Sequence, residues 1–184
     1  RKQQYEYYRD RLLSFEGGRI EYLPLRSVVS KHCTGATPKK GNTSYYEGGT
    51  VPWLRTQDIR FNEITSANSY ITEIAVKETG AKWIPANCVI IAISGATAGR
   101  CAINKIPTTT NQHYLNLEID SDKAMCQYVF YCVCNQYEDL ISKKQGARGD
   151  LNTSMILDMK IPVPSMKEQN NIVHILGRFD NYFY

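Results

Sequence analysis

The spacing of apolar residues along this 184-residue chain changes period several times, and the changes mark its elements. Residues 2–15 contain neither Gly nor Pro. Tyr5, Tyr8, Leu12 and Phe15 recur at helical spacing there, an amphipathic stripe that Gly17-Gly18 ends. The other end mirrors it. Ser165-Met-Lys-Glu168 has the form of a capping box just after Pro162 and Pro164. Ile172, Ile175, Leu176, Phe179 and Phe183 then carry an apolar stripe to the last residue, which predicts a helix that continues in a longer parent. Two such arms either pair as helices, with each other or with a partner, or pack on the domain's own core.

Between the arms the pattern is of short strands and turns. Tyr22 to Val29 reads as a short strand or turn entering the core, and Val51 to Leu54 as a strand fed by Gly48-Gly49. Trp83 to Ile93 carries the most apolar run, followed by strands over Arg100–Ile106 and Tyr114–Ile119. One long helix is predicted over Asp122–Lys144, capped by Asp120 or Ser121. Its buried face would be Met125, Val129, Cys132, Val133, Leu140 and Ile141, with Lys143-Lys144 where cations favour the helix dipole. The expectation is a mixed α/β (α+β) fold: short twisted strands and one main helix, flanked by amphipathic helices that form coiled-coil arms. Its boundaries fall at 1–15 for the end of one helix, 16–163 for the domain and 164–184 for the start of the next.

Composition narrows the setting. A content of 42% hydrophobic and 22% charged residues suits a core-forming domain. The longest apolar run, Val89–Ile93, falls far short of the roughly 20 residues that span a bilayer. The chain opens on Arg1 with no signal-peptide pattern, so it is expected to be a fragment of a longer cytoplasmic protein, the alternative being a processed mature one. Six cysteines without a CxxC pair and three scattered histidines favour buried, reduced thiols over zinc. A net charge of +4 permits a nucleic-acid partner without requiring one.

Motifs for independent catalysis are missing. No [DNS]-P-P-[YFW] stretch is present to hold an amino group for methylation, and Ile161-Pro-Val-Pro164 lacks the polar first residue and adjacent prolines. Gly95-Ala-Thr-Ala-Gly99-Arg100 has three residues between its glycines and no Lys-Ser/Thr ending, so it reads as a turn between strands and not as a phosphate loop. Asp158-Met-Lys160 resembles a nuclease fragment but has no second acidic residue in register.

What remains is recognition chemistry. Gln57, Asn111 and Gln112 are amides suited to adenine edges, and arginine suits guanine. Gln57, Arg60, Arg100, Asn111, Gln112 and Arg148 are therefore candidates for base or groove contact. Lys39, Lys40, Arg55, Lys143 and Lys144 are candidates for phosphate contact, which positions without specifying. Asp58 is expected to be scaffold, because a carboxylate would repel phosphate.

Five ordered motifs then carry a resemblance: G-x-T-P (Gly35–Pro38), Y-Y-x-G-G-x-V-P-W (Tyr45–Trp53), Asp58-Ile59, Asn111-Gln112, and I-P-x-P-x-x-x-E-Q (Ile161–Gln169). Together they resemble the DNA specificity subunit of type I restriction–modification systems over essentially the whole chain. The resemblance implies one target recognition domain with the end of one spacer helix and the start of the next. It would come from the second half of a two-domain subunit, or from a half-length subunit that dimerises. It implies reading of one half of a bipartite DNA target while partner subunits act. Modification subunits would hold S-adenosylmethionine and methylate adenine N6, a restriction subunit would use ATP and Mg, and this chain would hold no cofactor or metal and do no catalysis. Two alternatives stay open: the recognition region of a fused methyltransferase–endonuclease, and a partner-binding half-subunit that does not read DNA.

Overall fold

A computed structural model describes residues 2–15, 20–143 and 150–179. In chain order, α1 is Lys2–Ser14, β1 Tyr22–Pro24, β2 Val29–Thr34, β3 Val51–Leu54, β4 Asn62–Ile64, β5 Tyr70–Ile71, α2 Glu73–Glu78 and β6 Cys88–Ala92. Then follow β7 Cys101–Asn104, β8 Thr109–Thr110, β9 Tyr114–Ile119, α3 Cys126–Asn135, α4 Tyr137–Ser142, α5 Thr153–Leu157, β10 Lys160–Pro162 and α6 Met166–Gly177.

A five-stranded sheet of order β2-β9-β6-β7-β4 is the centre, antiparallel except for the parallel β4–β7 pair. β6 is apolar at every position because both of its faces are covered. Val89 and Ile91 join Leu115, Leu117 and Ile103 under a layer made by α1, α3 and α6. Cys88, Ile90 and Ala92 face the other way, onto Leu54, Ile59 and Ile84. That second layer leads to a small sheet, β5-β3-β8, in which β3 runs parallel to β8 and antiparallel to β5. Behind it Val51, Trp53, Ile71 and Ala75 form a separate apolar cluster.

The fold is the mixed α/β arrangement the pattern predicts, and the two arms meet. Tyr5 of α1 packs edge-on against Phe179 at 6.2 Å between ring centroids, with Tyr8 at 5.6 Å. Phe183 lies outside the described residues.

Two expectations need correction. The helix predicted over 122–144 begins only at Cys126 and is interrupted at Gln136, whose φ and ψ of −97° and 15° leave the helical region. Asp120 caps a turn instead: its Oδ1 accepts the Asp122 N–H at 3.1 Å. The hydrogen bond from Lys123, helped by that N–H, holds its carboxyl below the usual carboxylate range. The apolar run from Trp83 is also not one strand. Pro85 and Asn87, the latter at φ 63°, turn the chain so that only Cys88–Ala92 enters the sheet, leaving Trp83 exposed.

Candidate nucleic-acid interface

Where β3 and β8 end side by side, the Asn111 N–H donates to the Leu54 carbonyl at 3.2 Å, and both strands give way to loops. Those loops, with residues 37–46 and 69–70, enclose an open cleft of about 670 Å³. Its charged and amide lining is Lys40, Arg55, Gln57, Asn111 and Gln112. Thr37, Tyr46, Trp53, Thr56, Ser69, Tyr70 and His113 complete it, and none of these lining residues is acidic.

Each wall has a local cause. Gly35 lies against β8, where an added Cβ would sit 1.9 Å from the Thr110 carbonyl oxygen, so only glycine lets the following Thr37–Lys40 segment reach the cleft. Trp53 Nε1–H donates to the Ala36 carbonyl at 3.1 Å, and the Tyr46 hydroxyl donates to the Pro38 carbonyl at 2.5 Å. Burial raises the Tyr46 pKa against the opposing pull of Arg55. The two aromatics thus act as posts that hold the G-x-T-P segment in place.

Arg55 divides its work. Its backbone N–H donates to Asp58 Oδ2 at 2.7 Å, and its guanidinium carbon lies 5.8 Å from the centre of the Trp53 ring. Asp58 is 7% exposed, and its other oxygen accepts the Asn68 amide at 2.7 Å. The carboxylate is therefore turned inward and shapes the 55–58 turn, as scaffold.

The third wall is the Asn111–His113 link from β8 to β9. Asn111 Oδ1 accepts the His113 N–H at 2.9 Å, which closes the turn. Gln112 and His113 stand exposed beyond it.

The remaining candidate residues lie elsewhere. Arg60 donates through Nε to the Gln57 carbonyl at 2.7 Å and borders an adjoining groove of about 410 Å³, so Gln57 forms the ridge between the two. Lys39 is exposed in the turn beside Lys40. Arg100 is half-buried at the end of the Gly95–Gly99 turn, which joins β6 to β7 as expected of a strand connection. Lys143 follows α4 with its ammonium 2.5 Å from Asp139 Oδ2. Lys144 and Arg148 lie outside the described residues. Asp158 pairs with Arg26 across the molecule, a structural contact.

The cysteines are free thiols, with Cys88, Cys101 and Cys132 buried. Burial pushes the Cys88, Cys126 and Cys132 thiols up to about 12. Among the described residues no group of three or more His, Cys, Asp or Glu side chains is placed to hold a metal ion, and no helix is long and apolar enough to cross a membrane.

Sequence reasoning missed Thr37, Ser69, Tyr70 and His113. Thr37 and His113 had a usable signal, since one lies within G-x-T-P and the other directly follows Asn111-Gln112.

Frame and cleft together define an α/β domain that holds polar loop residues in one open, cationic, aromatic-walled groove. The chain belongs to the family of the type I restriction modification DNA specificity domain, whose model matches residues 20–183. It is 33% identical over 186 residues to the type I restriction enzyme EcoR124I/EcoR124II specificity subunit of Escherichia coli, covering 98% of this chain and 46% of the relative. The MjaIX specificity subunit of Methanocaldococcus jannaschii is 31% identical over 153 residues, covering 80% of this chain and 35% of the relative. The crystal structure of an HsdS subunit from Thermoanaerobacter tengcongensis shares the fold, with a TM-score of 0.74 at 15% identity over 99% of this chain and 43% of that one. The chain thus spans less than half the length of these relatives.

Proposed function

We propose that this chain is a target recognition domain that binds double-stranded DNA through the 37–57 and 111–113 loops and reads one half of a bipartite target. It belongs in the cytoplasm and has no catalytic role. In this reading it holds no cofactor. Modification subunits bound through α1 and α6 carry S-adenosylmethionine and methylate adenine, and a restriction subunit uses ATP and Mg to cleave. A second such domain, in the same parent chain or in a dimer partner, reads the other half.

One observation carries the proposal most directly. The cleft gathers three amides, Gln57, Asn111 and Gln112, between the cations Lys40 and Arg55, with no carboxylate among its lining residues. Amides and cations are the side chains that meet base edges and phosphates. Lys39 and Lys143, outside the cleft, and Lys144 are proposed phosphate contacts, and Arg60, Arg100 and Arg148 proposed groove contacts.

The test is binding of the complex assembled from the parent subunit and its modification subunits to duplex DNA across a salt series. Replacing Lys40 and Arg55 together by alanine should weaken binding to every duplex by roughly tenfold or more and make the log–log salt slope shallower by about one to two. An unchanged slope would sink the cleft as the contact surface. A complex that binds no DNA but still assembles would favour the purely partner-binding reading.

A further inference from the structure

Gln112 is not a free surface amide. Its Oε1 accepts the hydroxyl of Thr37, and its Nε2 lies 3.2 Å from His113 Nε2. His113 Nδ1 in turn lies 2.5 Å from Ser94 Oγ. The chemistry of these groups sets the direction of the chain. An amide nitrogen can only donate, so His113 Nε2 is the bare acceptor nitrogen and Nδ1 carries the proton, donated to Ser94. The imidazole itself is held by its backbone: Asn111 Oδ1 takes the His113 N–H at 2.9 Å, and the His113 carbonyl accepts the Ile93 N–H at 2.8 Å.

The chain Thr37–Gln112–His113–Ser94 uses one lone pair of Oε1 and one hydrogen of Nε2. It leaves one acceptor site and one donor site on the same amide. That pair matches the N6–H and N7 edge of adenine in the major groove. Turning the amide over would exchange the two, and would need the opposite imidazole tautomer with Thr37 as acceptor. The amide's orientation and the tautomer of His113 therefore fix one another.

Resting on the reading of this domain as a DNA-recognition module, we propose that Gln112 reads an adenine within the half-site and that His113, braced by Ser94, is the positioning residue that fixes its amide. Thr37 holds the oxygen end and His113 the nitrogen end. Specificity at this base comes from a preset orientation, because the amide does not have to be ordered when DNA arrives.

The experiment uses the complex assembled from the parent subunit and its modification subunits, with the target mapped for the unaltered protein. Binding is compared between target duplex and duplexes in which each A·T pair of this domain's half-site is replaced by G·C. In the unaltered complex each replacement at a contacted pair weakens binding. His113→Phe keeps a ring but cannot accept, and should cut discrimination at one A·T position by about tenfold, a larger loss than any weakening of binding to non-target DNA. His113→Gln restores an acceptor near the Nε2 position and should retain most of the discrimination. Ser94→Ala should lose part of it at the same position. The inference is overturned if His113→Phe leaves every discrimination ratio unchanged, or if it weakens target and non-target duplexes equally. An unaltered complex that discriminates at no pair of the half-site would overturn the recognition reading itself.

Discussion

Asp58 illustrates how a residue can shape the proposed binding surface without touching a ligand. One oxygen takes the Arg55 N–H and the other the Asn68 amide, both at 2.7 Å, so the carboxylate closes the turn that carries Gln57 into the cleft. Removing it takes a charged acceptor away from the Arg55 N–H and the Asn68 amide, which both belong to exposed residues, at a cost of about 1–3 kcal/mol. Asp58→Ala is expected to lower the urea midpoint by a corresponding amount and to weaken DNA binding more than its charge predicts, since losing an anion alone would strengthen it. Tighter DNA binding by the variant would contradict this role. The inward-facing Asp58 was legible in sequence because phosphate repels carboxylates. The Thr37–Gln112–His113–Ser94 chain was not, because residues 37, 94 and 112 meet only through the pairing of separate strands.

At the scale of elements, the two helical arms and the edges of β9 were plain in the periodicity, and the Ser165 capping box forms as its spacing indicates, with Glu168 answering Ser165. The start of α3 was not legible. Its N-cap, Met125, has no capping side chain of its own, and Gln169 on α6 supplies one from a distance. Gln169 is fully buried. Its Oε1 accepts the Met125 N–H at 2.9 Å, and its Nε2 donates to the carbonyls of Pro164 at 3.0 Å and Lys123 at 3.2 Å. No local rule finds a cap that arrives from 44 residues away. The final Gln of the I-P-x-P-x-x-x-E-Q motif therefore has a structural role, locking α6 onto the helix that backs the sheet. Gln169→Leu keeps the volume but takes the side-chain partner from three backbone groups, the Met125 N–H and the carbonyls of Lys123 and Pro164. A loss of about 2–4 kcal/mol in unfolding free energy is expected, against about 0.5–2 kcal/mol for Ser165→Ala at the exposed cap. Equal losses in chemical denaturation would show that Gln169 is not the clamp.

For the whole molecule, the sequence resemblance and the layered architecture agree on the family, and the structure adds a division of labour. The five-stranded sheet, buried on both faces, is the frame. Helices α1, α3 and α6 cover the face away from the loops, where Tyr5 and Tyr8 of α1 meet Phe179, just past the end of α6. The small sheet covers the other face and presents the cleft at the ends of β3 and β8. In the proposed function, partner-facing arms and DNA-facing loops thus belong to opposite layers, so base-reading residues could change with little effect on assembly. The decisive measurement is a map of methylated adenines made by the assembled modification complex in a genome, with the intact domain and with Gln57→Ala and Gln112→Ala together. A reading surface in this cleft predicts a bipartite motif in which one half alone relaxes while the other half and the spacing between them stay fixed. A motif unchanged by the double variant, or altered in both halves, would contradict that placement.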